Sequence, residues 1–164
     1  VQLERRLIEV QRGDVGKPVS GAEAIVTDRL ERVRQRTRMG GTRDGRITAY
    51  RLDLLQDAGA YARAGAVLPY MTRMMAGGVY DIANVQFESN SVVTNTTPTV
   101  AYRGAGRPEA IFVLERSMDE AARQLGVDAW DLRRKNFIAP DQFPYTSATG
   151  VTYDIGEFAR VLTK

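Results

Sequence analysis

Within Tyr102-Arg103-Gly104-Ala105-Gly106-Arg107, two glycines lie between two arginines, and this grouping carries the strongest chemical signal in the chain. Upstream, Thr94-Asn95-Thr96-Thr97-Pro98-Thr99-Val100-Ala101 reads as a strand end followed by a loop, and Pro108 opens a helix downstream. Glycine has no Cβ, so the backbone at Gly104 and Gly106 can lie close to a ligand. Arginine side chains and the amides of a helix N-terminus both favour an anion. The same residues also read as an ordinary strand-to-helix turn, with Arg107 and Glu109 as a local surface ion pair. Thr94, Asn95, Thr96 and Thr97 can hydrogen-bond a ligand or the loop's own backbone equally well.

Other chemistry is narrowed by what the sequence lacks. There is no cysteine and no histidine in the 164 residues. Disulfides, thiolate nucleophiles, cysteine-held iron–sulfur clusters, the usual zinc sites and serine–histidine catalysis are therefore excluded within this polypeptide. Redox chemistry would need a cofactor. Glu109, Glu115, Asp119 and Glu120 are expected to face away from the apolar stripe of their helix, which argues against paired-carboxylate hydrolysis. Asp57 reads as an acceptor for backbone amides in a turn near Tyr61. Met71, Met74 and Met75 read as flexible core filling, and Arg133-Arg134-Lys135 as a charge cluster at a helix C-terminus.

These residues need a scaffold, and the chain supplies one domain's worth or part of a larger one. Its hydrophobic content of 43% can build a core. No apolar run is long enough to span a membrane and no leader pattern opens the chain, which points to a cytoplasmic setting. Residues 1–40 hold nine Lys/Arg against six Asp/Glu, while the remainder balances, so the net charge of +3 is carried at the front. A solvated basic face accounts for this. Nucleic-acid binding through Arg29, Arg32, Arg34, Arg36 and Arg38 is the weaker alternative, because no aromatic residues interleave with them.

The expected elements run as follows. Residues 1–20 are ambiguous, and the spacing of Val26, Leu30 and Val33 predicts a helix over 22–38. Asp44-Gly45 predicts a hairpin turn within 40–46, then a strand over 47–56. An irregular stretch with a short helix near 68–76 leads to a strand over 85–94. After the loop, Ile111, Leu114, Met118, Ala122 and Leu125 line one face of a helix, with an Asp119–Arg123 pair on the other. Gly126 ends that helix, Asp128 caps a second over 129–136, and a last short helix covers 155–162. The fold class is α+β, mixed strands with helices packed on one side.

Several segments in this order resemble the large, molybdopterin-binding subunit of the xanthine dehydrogenase/aldehyde oxidase family, more narrowly the carbon-monoxide-dehydrogenase-like large chains. They are Gly40-Gly41-Thr42-Arg43-Asp44-Gly45-Arg46-Ile47, Asp57-Ala58-Gly59-Ala60-Tyr61, Val93-Thr94-Asn95-Thr96-Thr97-Pro98 and Ala101-Tyr102-Arg103-Gly104-Ala105-Gly106-Arg107-Pro108-Glu109. Glu115-Arg116-Ser117-Met118-Asp119-Glu120 and Leu132-Arg133-Arg134-Lys135-Asn136-Phe137-Ile138 complete the set. The resemblance covers 38–164 as a partial cofactor-binding domain; residues 1–37 do not carry it, and the charge step near Met39 suggests that family sequence resumes there in a truncated or frame-altered gene.

The resemblance implies a fragment of a molybdenum hydroxylase, an enzyme that hydroxylates an aldehyde, an N-heterocycle or a similar small substrate with water-derived oxygen. It implies a molybdenum–pterin cofactor, as molybdopterin or its cytosine dinucleotide, with iron–sulfur and FAD cofactors on partner subunits. It also implies that residues 102–107 form the cofactor side of the pocket, with the Arg103 backbone near molybdenum. Gly104 stands where copper-containing relatives carry a cysteine, so no copper is expected. Ala105 stands where purine-oxidising relatives place an aromatic residue. The family's base glutamate is not in these residues, so no catalytic residue is assigned. The alternatives are a non-catalytic anion-binding or interaction module and a basic nucleic-acid-binding protein.

Overall fold

The structure is a computed structural model and describes residues 23–30 and 33–162. The expectation for residues 1–20 lies outside the described residues. Four strands form one sheet in the order β1 (Glu23–Leu30), β2 (Val33–Gly41), β3 (Ile47–Gly59), β4 (Asn84–Val93). The first three are antiparallel neighbours, and β4 lies parallel to β3 after a crossover through α1 (Leu68–Met75). Beyond the loop come α2 (Arg107–Leu125), α3 (Ala129–Asn136), a small hairpin of β5 (Tyr145–Thr146) and β6 (Thr152–Tyr153), and α4 (Phe158–Val161). Mixed strands with helices on one side give the α+β class. No described helix is long and apolar enough to cross a membrane.

The helix expected over 22–38 is instead the strand pair β1 and β2. The true period of β2 is two: Gln35, Thr37 and Met39 are buried, whereas Arg34 and Arg36 are exposed. Polar residues at buried positions hide that alternation from a hydropathy reading. Their partners come from far along the chain. Thr37 Oγ1 and Ser117 Oγ on α2 lie 2.8 Å apart, and Gln35 Nε2 donates to the Glu109 carbonyl at 3.0 Å. The hairpin at 40–46 and the strand from Ile47 form as expected, with β3 running on to Gly59.

Met39, Tyr50 and Leu52 of the sheet meet Val113, Leu114, Met118, Ala121 and Ala122 of α2, with Leu132 of α3 closing the core. The stripe of α2 is therefore turned from the expected one. Ile111 is 47% exposed, and Ala110, Val113 and Ala121 face inward. Glu120 also turns in, at 6% exposure, and pairs with Arg123, taking the place of the expected Asp119–Arg123 pair. Gly126 at φ +69° ends α2, and the Asp128 carboxylate caps α3 by accepting the Trp130 and Asp131 amides. The last helix is shorter than expected, starting at Phe158.

The basic end of α3 is a clamp as well as a dipole match. Arg133, 9% exposed, donates to Glu115 and Asp119 of α2, each at 2.8 Å. Asn136 is fully buried: its Oδ1 accepts the Ile47 amide at 2.8 Å, and its Nδ2 donates to the Gly45 and Leu132 carbonyls at 2.8 Å. Lys135 Nζ meets Asp44 Oδ2 at 2.7 Å, and this hydrogen bond leads the causes that lower the Asp44 carboxyl from 3.8 to about 2. The β2–β3 turn is thus pinned to α3.

Candidate functional site

Because β3 and β4 are parallel, their C-terminal ends finish side by side, and the loop 94–106 leaves from that edge. Ligand sites on parallel strands favour this end. The loop has two anchored feet and an exposed tip.

The upstream foot lies on the end of β3. The Asp57 carboxylate accepts the Gly59 amide at 2.8 Å, the Thr94 hydroxyl at 2.6 Å and the Thr96 hydroxyl at 3.1 Å. Backbone bonds join Thr94 N to Gly59 O and Ala60 N to Thr96 O. Gly59, at φ +77°, has no room for a Cβ, which would come within 2.4 Å of Pro98 Cα. The turn-acceptor reading of Asp57 holds, while Tyr61 is 67% exposed. Thr94 and Thr96 therefore serve the loop's own architecture.

The downstream foot is the start of α2. Gly106, at φ +88°, donates its amide to Glu109 Oε2 at 3.0 Å. Glu109 is therefore a capping residue, and its place three residues after the cap was the sequence signal for that role. A Cβ at Gly106 would lie 2.5 Å from Met71 Cβ. The missing side chain at Gly106 thus admits α1 and not a ligand. Met71 is 45% exposed, and Met74 and Met75 are half-buried, so these methionines are not core filling.

The tip spans residues 100–105. Tyr102 is 78% exposed, and the Arg103 guanidinium sits 5.8 Å from its ring centroid. Gly104, at φ +71°, has nothing within 4 Å of where a Cβ would lie. The amides of Ala105 and Arg107 are already used, donating to the Tyr102 and Gly104 carbonyls at 2.8 and 2.9 Å. With Gly106 bound to Glu109, the helix N-terminus is largely satisfied from within. The Arg103 and Gly104 amides donate to no other group among the described residues. Two unpaired amides, a guanidinium and open space at Gly104 suit an anionic ligand.

Below the tip is an open cleft of about 540 Å³, whose walls include Leu68, Thr99, Tyr102, Arg103 and Ala105. Gln56 also borders it, donating to the Gly65 carbonyl at 2.7 Å and to Thr99 Oγ1 at 3.2 Å. Through Nε2, Gln56 supports the loop at Thr99, while its Oε1 is buried without a hydrogen-bond partner among the described residues. The structure brings Tyr102, Arg103, Gly104 and Ala105 together at the tip and places Gly106 and Arg107 in its foot. Of the arginines of the nucleic-acid alternative, Arg32 and the Arg29 side chain lie outside the described residues, while Arg34 and Arg36 lie on the sheet face away from the helices, beside Arg51, which pairs with Asp53 and Glu88.

Comparison with known proteins places the chain in a family. The family model for the molybdopterin cofactor-binding domain matches residues 21–137, and the chain belongs to that family. The match takes in β1 and β2 as well as the loop. The chain is 32% identical over 163 residues to the carbon monoxide dehydrogenase large chain of Hydrogenophaga pseudoflava, covering 92% of this chain and 20% of that one. It is 36% identical over 123 residues to the nicotine 6-hydroxylase large subunit of Paenarthrobacter nicotinovorans, covering 73% and 15%. Among solved structures, quinoline 2-oxidoreductase from Pseudomonas putida 86 superposes with a TM-score of 0.76 at 31% identity, covering 87% of this chain and 18% of that one. The chain thus spans a fifth or less of the length of these relatives.

Proposed function

We propose that the chain forms part of the molybdenum-cofactor-binding subunit of a molybdenum hydroxylase acting on an aldehyde, an N-heterocycle or a similar small molecule. The observation that carries this reading is the tip at 100–105, held at both feet, with the Arg103 and Gly104 amides unpaired among the described residues and open space at Gly104, in the loop that the resemblance singles out. Arg103 and Gly104 would hold the cofactor through backbone amides, with Tyr102 and Ala105 beside them and Gly106 and Arg107 fixing the approach. When bound, the molybdenum–pterin group supplies the redox chemistry. This chain's contribution is to hold and orient it, and the open space at Gly104 and the small side chain of Ala105 leave room for a substrate. With no cysteine in the chain, the loop offers no thiolate for copper. Electrons would leave through iron–sulfur and FAD subunits in a cytoplasmic assembly.

The test is co-expression of the complete subunit that contains this segment with iron–sulfur and flavin partner subunits, followed by metal and pterin analysis. Molybdenum and pterin near one per chain are expected. A correctly assembled complex holding neither would overturn the proposal.

A further inference from the structure

We infer that Asp57 is the positioning residue of the loop, setting where the tip at 100–105 stands. The inference rests on the reading of that tip as the cofactor contact. Between residues 100 and 105 the described hydrogen bonds are local turns, Ala105 N to Tyr102 O and Arg107 N to Gly104 O, so the tip's place is fixed by its feet. The downstream foot is built into α2, whose first turn packs on Met71 and is capped by Glu109. The upstream foot packs its backbone on Gly59 and Gly65, with Pro98 and Thr99 pressed where a Cβ would stand at each. Its polar centre is one carboxylate that gathers the Gly59 amide, the Thr94 hydroxyl and the Thr96 hydroxyl.

The strand geometry explains why this residue holds that position. The register of β3 on β4 shifts between Asp57 and Gly59, with Asp57 opposite Val92 and Gly59 opposite Val93. Such a bulge re-aims a side chain at a sheet's end. Here the strand delivers a carboxylate to the first residue after β4. The Asp57 carbonyl also accepts from Thr99 Oγ1, and Thr99 N reaches the Ala58 carbonyl, both at 3.4 Å, so the contact continues to the base of the tip. Three donors on one ionised acceptor form a stronger anchor than neutral bonds would.

The test uses the co-expressed complex, its variants Asp57→Ala, Asp57→Asn and Thr94→Val, and two readouts. One is the rate of tryptic cleavage after Arg103, compared with sites in the helices; the Arg107–Pro108 bond resists the enzyme. The other is molybdenum and pterin content from the co-expressed complex. Asp57→Ala is expected to speed cleavage after Arg103 by roughly tenfold or more, the scale of one lost bond to a charged acceptor, with helix sites little changed. Asp57→Asn, which keeps an acceptor oxygen, should recover much of the wild-type rate. Thr94→Val should have a smaller effect that does not add to that of Asp57→Ala. In the complex, cofactor content should fall with Asp57→Ala and recover with Asp57→Asn. Unchanged cleavage after Arg103 in both Asp57→Ala and Thr94→Val would overturn the inference, as would a uniform rise at every site. Faster cleavage after Arg103 in a protein whose wild type binds no molybdenum would uphold the positioning role and instead overturn the proposed function.

Discussion

Gly104 and Gly106 stand two residues apart, both at positive φ, yet they answer to different neighbours. Gly104 faces open space, so Gly104→Ala meets only the backbone preference and should cost about 1–2 kcal/mol. Gly106→Ala meets that preference and also Met71 Cβ, Met71 C and Thr72 N, all within 2.7 Å. Adding the cost of overpacking, it should lose roughly 2–5 kcal/mol. Urea denaturation of the two variants checks the order, and equal losses would contradict the packing assignment. Shortening Met71 should rescue little, because two of the three contacts are backbone atoms. The sequence made the loop visible through residue type alone. It could not separate the two glycines, because the atom that excludes a side chain at 106 belongs to a helix far upstream. Asp57 was legible as a turn acceptor because its first partner, Gly59, is local. Its hold on Thr94 and Thr96 required the strands to be in place.

Among the elements, α3 and the β2–β3 turn act as one unit. Asn136→Ala removes three buried hydrogen bonds and strands the Ile47 amide, a loss of about 3 kcal/mol or more. Asn136→Asp should be at least as harmful at neutral pH, since a carboxylate would face the Gly45 and Leu132 carbonyls; chemical denaturation measures both. The Lys135–Asp44 link gives the same unit an acid response. The Asp44 carboxyl is lowered from 3.8 to about 2 in the folded chain, so its contribution is present above about pH 4 and is lost as pH falls toward 2. The stability gap between wild type and Asp44→Asn should therefore close over that window, and a gap independent of pH would refute the link. Helices α2 and α3 were readable because Gly126 and Asp128, which end and begin them, act on neighbouring residues. β1 and β2 were not. The inward positions of β2 include Gln35 and Thr37, whose polar atoms meet Glu109 and Ser117 of α2, partners far along the chain.

For the molecule as a whole, the arrangement separates two surfaces. The helices cover one face of the sheet, and the other presents Arg34, Arg36, Arg51, Asp53 and Glu88 to solvent. The loop belongs to neither; it leaves from the edge where β3 and β4 end. The α+β class was legible from the mix of elements, whereas the parallel pairing of β3 with β4, which brings Asp57 to Thr94, has no local sequence mark. That pairing gives the two strands a metric role. Each residue in β4 counts as a division on a ruler laid against β3. Adding two residues to β4 keeps every side chain on its face, yet slides Thr94 about 7 Å past Asp57. Such an insertion should leave the sheet folded by circular dichroism while speeding tryptic cleavage after Arg103. What the loop can reach is thus set by strand length, so in this fold a spacing that looks merely structural is a calibrated distance.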